Sequence, residues 1–438
     1  MVKVAILGGG LTGVTLARLL CGRSHDVVVL EGEDRCGGLC RTRVENGFTF
    51  DTGGSHVIFS RDTEVLKFLI DLLGTNTIRR RRKTKILFRD RYVKYPFENG
   101  LYQLEREDCF RCLFEYIRSY IAAEKGELPA PKNFREWMYF TFGAGITDLY
   151  LLPYNEKIWK FPPERMSAHW VEGRIPRPPP EDIIKSAIGI ETEGYTHQLF
   201  FSYPRRGGIN ALIEAMVAPV RDRIRCNFRV RSIERVEGGF ILSDGKERIF
   251  ADRCISTIPL HALISSCHNV PDRVRNACMD LKFNSLYSVL VGIEGEVPPY
   301  SWVYTHERGR GLFNRISFPS NYSPEAAPAG CSSILAEITF RCGDEIDRMS
   351  EEAIVSHVVD GLHGMGLIDD PSRIVHTSIS RQEYAYVIYD LDYQKNIAIV
   401  REWCRTQGID LVGRFSQFEY LNMDGCVRSA IDFVKGFP

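Results

Sequence analysis

Apolar residues at the start of the chain fall in two short continuous runs, VAIL at 4–7 and VVVL at 27–30, on either side of a stripe at Val14, Leu16, Ala17, Leu19 and Leu20. The runs have the length of buried strands and the stripe has a helical period, so the pattern predicts a βαβ unit at the N-terminus. From about Asp62 the pattern turns mostly helical, with amphipathic stretches at 63–74 and 112–126, until the proline-rich RIPRPPPED at 174–182 breaks it. Alternation returns over 224–260, where Gly-Gly and Asp-Gly turns join successive strands, and again at 284–295 and 332–340. Helical periods follow at 350–366 and near the C-terminus. No repeat or low-complexity linker interrupts the series, so one domain is expected to be assembled from distant pieces with others inserted into it.

Composition narrows the class only a little. At 438 residues the chain is long enough for two or three interleaved domains, and 44% hydrophobic residues allow large cores. Lys and Arg total 56 against 56 Asp and Glu, which gives no global pull toward nucleic acid or anionic lipid. The run Arg79-Arg80-Arg81-Arg82-Lys83, beside the strand-like TKILFRDRYVKY, is expected to be a solvated edge. Thirteen cysteines without framework spacing fit a reducing cytoplasm, and Cys109 and Cys112 lie in a helical pattern that favours packing over metal or redox chemistry. No metal site is expected. The first strand begins at Val2 without a signal peptide, and no apolar run approaches the roughly 18 residues needed to span a bilayer, so a soluble, cytoplasmic protein is expected.

Gly8, Gly10 and Gly13 form a Gly-x-Gly-x-x-Gly turn between the first strand and its helix. There a tight turn, close approach of a pyrophosphate and close helix packing each require glycine, and the helix N-terminus, with Leu11 and Thr12, offers N–H groups to phosphate. Glu31 ends the second strand where a carboxylate can accept from a ribose. The following EGEDRCGGLCRT, with Gly32, Arg35, Gly38, Leu39 and Arg41, resembles the second glycine motif of the FAD-dependent amine oxidase and protoporphyrinogen oxidase group. That resemblance implies an adenine side completed at Val230 and Thr257, and a closing helix that begins at Asp424-Gly425 and faces the diphosphate. The expected fold is α/β: a Rossmann-like FAD-binding domain in three parts (1–61, 197–283 and 384–438), with an inserted, mostly helical cap (62–196) and a mixed or antiparallel β-sheet substrate domain (284–383).

Five further islands carry a more specific likeness: DTGGSHVIFS (51–60), YPFENGL (95–101), LPYNEKIW (152–159) with WVEGRIP (170–176), NRISFPSNYSP (314–324) and GRFSQFEYLN (413–422). In this order they resemble UDP-galactopyranose mutase, particularly its eukaryotic form, over nearly the whole chain. The resemblance implies that Arg174 and Arg315 grip a substrate diphosphate by guanidinium forks, a chemistry that stays charged at any working pH. Tyr304, Tyr389 and Tyr420 are implied as hydroxyl contacts to the same diphosphate, with several tyrosines of YAYVIYDLDY open for the second. Tyr95, Asn155 and Trp159 are implied as the uridine contacts, and Gln198 and Asn422 as further substrate ligands. Gly54, Ser55 and His56 lie in the loop that resembles the mutases' histidine loop, where a contact that tunes the flavin is favoured over a general base. Arg414 is expected beside the flavin.

The implied reaction interconverts the pyranose and furanose forms of UDP-galactose or a related nucleotide sugar, with N5 of reduced FAD attacking the anomeric carbon. It makes the chain an isomerase with no net oxidation, supplied with electrons by NAD(P)H or another reductant; the oligomeric state is left open. The sequence departs from the mutase pattern at Ser55, which stands between the glycines and His56, at Glu98, where an amide would serve uracil better, at Gln198, and at Asn422 with Asp424. Two rival readings share the N-terminal motifs. One is a flavin oxidoreductase of the protoporphyrinogen oxidase or amine oxidase type. The other is a flavin-free prenyl-protein carrier of the GDP-dissociation-inhibitor kind, against which the intact glycine turn and Glu31 argue.

Overall fold

The first apolar run becomes the strand Lys3–Leu7, the centre of a five-stranded parallel sheet. The computed structural model of the chain describes residues 2–23, 25–171, 175, 177–192 and 199–438. Across the sheet the order is Ile409–Leu411, Arg253–Ser256, Lys3–Leu7, Asp26–Leu30 and Ile224–Arg225, so three remote stretches of chain build one layer. Val4 to Leu7 are fully buried because both faces are covered, as parallel sheets require. The helix Leu11–Cys21 packs one flank through Val14, Leu16 and Leu20 against the closing helix Met423–Gly436, which contributes Val427, Ala430 and Val434. A small antiparallel sheet of Ser232–Val236, Gly239–Ser243 and Arg248–Ala251 completes this domain.

A second, seven-stranded sheet is mixed, in the order Ile374–Ile388, Lys282–Glu294, Cys331–Phe340, Arg315–Ser317, Trp302–Thr305, Thr84–Phe88 and Arg91–Lys94. All its pairs are antiparallel except Trp302–Thr305 with Thr84–Phe88. One face packs on the helix Glu351–Gly364 through Ile316, Ala336, Ile338, Ile354 and Val358, and the other looks toward the first domain. The sheet departs from the expected division: residues 84–94 come from within the expected helical insertion, Lys282–Glu294 begins before 284, and Ile374–Ile388 runs on past 383.

The insertion is otherwise helical, with Arg106–Glu124 packed on Phe134–Ile146, then a π-turn at Thr147–Leu151 leading into the helix Leu152–Trp159. The arginine run is not simply solvated. Arg79 and Arg81 are exposed, but Arg82 stacks over the rings of Tyr95 at 4.6 Å and Trp302 at 4.9 Å, and Arg80 donates to the Tyr322 carbonyl at 3.1 Å. A strand has period two, so alternate arginines turn inward. None of the thirteen cysteines is in a disulfide; Cys112 is buried and Cys109 sits 3.6 Å from the Ala187 carbonyl. Among the described residues no helix is long and apolar enough to cross a membrane, and no cluster of side chains could hold a metal.

Candidate functional site

The glycine turn is built as its spacing demands. Gly8 has φ +94°, and a β-carbon on Gly13 would lie 1.9 Å from the Gly8 carbonyl oxygen, so the helix can approach the strand this closely only without a side chain there. Glu31 accepts from the Gly9 N–H at 2.7 Å and the Glu33 N–H at 2.9 Å, so its carboxylate pins the turn from behind while staying 8% exposed. Gly37 donates to the Gly9 carbonyl at 2.8 Å, which lays the second glycine motif, with Gly38, against Gly10. Arg41 reaches the Arg35 carbonyl at 2.9 Å and Glu31 at 3.4 Å, whereas Arg35 itself is exposed.

The remaining expected cofactor residues gather at the same edge. The segment before Val230 runs beside Gly32, since Phe228 donates to the Glu31 carbonyl at 2.8 Å. Thr257 Oγ1 caps the carbonyls of Leu7 at 2.8 Å and Gly8 at 3.1 Å. Thr12 packs against Gly413, and Leu11 is buried beside it. Leu39 approaches Gly53, whose β-carbon would meet its carbonyl oxygen at 2.2 Å. Asp424 accepts from Ser60 Oγ at 2.5 Å and from the Gly425 N–H at 2.9 Å at the start of the closing helix. Asn422 is the exposed N-cap of that helix and its side chain makes no capping bond.

The second sheet places one polar row on the face toward this edge. Tyr304 is the cross-strand partner of Arg315, and Arg315 of Glu337, so the three side chains share a face while Ile316, Ala336 and Ile338 point to the opposite core. Arg315 forks onto Glu337, Nε to Oε1 at 2.8 Å and Nη2 to Oε2 at 2.7 Å, with Nη2 also 3.2 Å from the Ser55 carbonyl. Burial works against its charge, but Glu337 and the neighbouring Tyr386 and Tyr304 hold its pKa above the ordinary guanidinium range. His56 Nδ1 lies 2.9 Å from the Gly54 carbonyl, and burial lowers its pKa, disfavouring the charged ring.

Aromatic rings cluster beside this row. Tyr95, Tyr154 and Tyr304 meet at ring separations of 5.2 and 5.6 Å, and Tyr420 lies 5.8 Å from Tyr386 with Arg414 over its ring at 4.6 Å. Arg414 also donates to the carbonyls of Ala385 and Leu421. Trp159 is 4% exposed and donates its indole N–H to Asn155 Oδ1 at 3.0 Å, while Asn155 Nδ2 donates to the Leu151 carbonyl at 2.7 Å. The two side chains form a hydrogen-bonded unit within the helix Leu152–Trp159. Tyr389 is buried, its ring stacks on Trp170 at 6.3 Å, and its oxygen accepts from the Tyr420 N–H. Tyr386, three residues earlier, is the tyrosine of that strand close enough to Arg315 to interact electrostatically. Arg174 and Gln198 lie outside the described residues.

Glu337 is the residue that the sequence reading missed. It did carry a signal, because an acid inside the apolar strand SSILAEITF must be paired if it is buried.

A sequence profile of flavin-containing amine oxidoreductases matches residues 11–433. The chain belongs to this family. A crystal structure of reduced UDP-galactopyranose mutase superposes with a TM-score of 0.90 at 26% identity, covering 99% of this chain and 95% of that one. Protoporphyrinogen oxidase 1, chloroplastic, of Arabidopsis thaliana is 22% identical over 82% of this chain and 73% of its own length. The inactive all-trans-retinol 13,14-reductase of Danio rerio is 39% identical over 70 residues, 16% of this chain and only 12% of that protein. As a member of the flavin-containing amine oxidoreductases, the chain is a flavin enzyme and its cofactor is FAD. The residues fit that group: the glycine cradle admits a diphosphate, and Arg41 Nε and Arg414 Nε are buried without a hydrogen-bond partner among the described residues.

Proposed function

We propose that this flavin enzyme is a sugar-nucleotide mutase that interconverts the pyranose and furanose forms of UDP-galactose or a related nucleotide sugar. The observation that carries this reading is the polar row itself. A guanidinium flanked by Tyr304 and Tyr386 suits a diphosphate, whereas an amine or porphyrin substrate calls for an unpaired carboxylate or an apolar cavity, and the row's carboxylate, Glu337, is already paired with Arg315. The likeness to the reduced mutase over nearly the full chain supports the same choice.

FAD, when bound and reduced, supplies the nucleophile that ring interconversion needs. The chain's own share is to hold and to orient. Once the anomeric bond breaks, the leaving diphosphate must stay in the cleft while the sugar recloses through another hydroxyl, and Arg315 with the hydroxyls of Tyr304 and Tyr386 holds it by charge-assisted contacts. Arg174 is the proposed second grip. The rings of Tyr95, Tyr154 and Tyr420 exclude water, and His56, whose charged form burial disfavours, offers a ring contact. The local hydrogen bonding of Asn155 and Trp159 leaves base recognition to the aromatic surface around Tyr95.

The alternative, an oxidoreductase of the protoporphyrinogen oxidase type, draws on the Arabidopsis relative. The deciding experiment is anaerobic incubation of dithionite-reduced and of oxidised protein with UDP-galactofuranose, with products separated by chromatography. Conversion only in the reduced state is expected, and flavin reduction by protoporphyrinogen or a polyamine without conversion would favour the alternative.

A further inference from the structure

Arg315 does not wait for an anion alone. Its Nε and Nη2 are both committed to Glu337, a carboxylate only 1% exposed, and the same Glu337 Oε1 accepts from the Ser55 N–H at 3.0 Å while Arg315 Nη2 reaches back to the Ser55 carbonyl. The four contacts close a ring that joins two strands of the substrate sheet to the loop carrying His56. Gly54 makes the approach feasible: its φ is +89°, and a β-carbon there would stand 3.0 Å from Glu337 Oε2. Among the described residues the guanidinium's Nη1 has no hydrogen-bond partner, in a side chain 21% exposed.

We propose that Glu337 is a positioning residue that aims the free edge of Arg315 at a substrate diphosphate and ties that edge to the histidine loop. The role rests on the mutase reading. A fork clamped on its inner edge is held in one orientation, so Nη1 meets a phosphate oxygen without the entropy loss of ordering a free arginine. The clamp opposes simple Coulombic expectation: a carboxylate beside an anion site should weaken anion binding, so removing its charge would strengthen binding if neutralisation were its whole effect.

The two effects therefore have opposite signs, and the Glu337→Gln holoenzyme separates them. Affinities for UDP and for uridine, which lacks the phosphates, are measured by titration calorimetry, with bound flavin and melting temperature as folding controls. The expected result is UDP affinity lower by about tenfold and uridine affinity within about twofold of the unmodified protein, the scale of one charged hydrogen bond. Unchanged or tighter UDP binding by E337Q would overturn the positioning role. If E337Q loses its flavin, Glu337→Asp keeps the charge but shortens the reach, and the same selective loss for UDP is expected; unchanged UDP affinity there would overturn the role equally. Equal affinities for UDP and uridine in the unmodified protein would overturn the mutase reading itself, and this role with it.

Discussion

The phenolic oxygen of Tyr389 lies 2.6 Å from the backbone nitrogen of Tyr420. The bond fixes the segment that carries Tyr420 and Arg414 to the end of the strand Ile374–Ile388, and it commits the Tyr389 oxygen to a backbone partner. Tyr386 and Tyr389 should then respond differently to loss of the hydroxyl. Tyr386→Phe is expected to lower kcat/KM about tenfold, roughly 1.4 kcal/mol, with little change in melting. Tyr389→Phe is expected to cost about 1 kcal/mol of stability in denaturant titrations, because a part-buried N–H loses its acceptor.

Gly13→Ala should abolish flavin binding. The added carbon would sit 1.9 Å from the Gly8 carbonyl, so either the helix or the turn must move, and the diphosphate cradle moves with it. The visible absorbance of the purified protein is the readout, with the flavin bands lost and the chain still folded by circular dichroism.

Arg315→Lys keeps a positive charge but gives up the planar fork on Glu337. Turnover of the nucleotide sugar by reduced protein should fall about a hundredfold in kcat/KM, near 2.7 kcal/mol, with bound FAD unchanged.

Glu98 gives the stability a pH dependence. Its carboxyl is 6% exposed, and burial pushes its pKa from 4.5 up to about 7. Below pH 4.5 both folded and unfolded chains hold the proton and its full contribution is present; between there and about 7 the unfolded chain ionises first, so stability falls as pH rises and then levels off. Glu98→Gln should remove that slope, leaving stability similar near about pH 4 and higher by about 2–3 kcal/mol at about pH 8. Asp51, pushed up to about 6 by burial despite bonds from Thr42, Tyr203 and Ile209, slopes the same way in both proteins. The difference between the two titrations is therefore the quantity to measure.

The glycine-turn edge was legible in the sequence because its determinants are local: a turn, a helix start and an acid lie within one βαβ unit, and their spacing alone dictates Gly8, Gly13 and Glu31. The polar row was only half legible. Which of Tyr304, Arg315 and Glu337 face one another depends on the register of three strands that are remote in sequence, and no short-range pattern encodes it. The same holds for residues 84–94, whose strand character was visible but whose place beside Trp302–Thr305 was not. Tyr386 and Tyr389 differ by which one lies within the strand and which just past its end, a distinction of the kind that sequence patterns resolve least well. Trp159, implied as a base contact by its motif, donates its indole N–H to Asn155 one helical turn away, a pairing that the spacing alone allows.

Counting product per flavin tests the central claim most directly. Anaerobic protein is reduced with one equivalent of dithionite, excess reductant is removed, and UDP-galactofuranose is added while the flavin spectrum and the product are followed together. The mutase account predicts many pyranose molecules per flavin with the reduced spectrum unchanged throughout, because the reaction consumes no electrons. Absence of product, or product that stops at one per flavin as the oxidised spectrum returns, would contradict it.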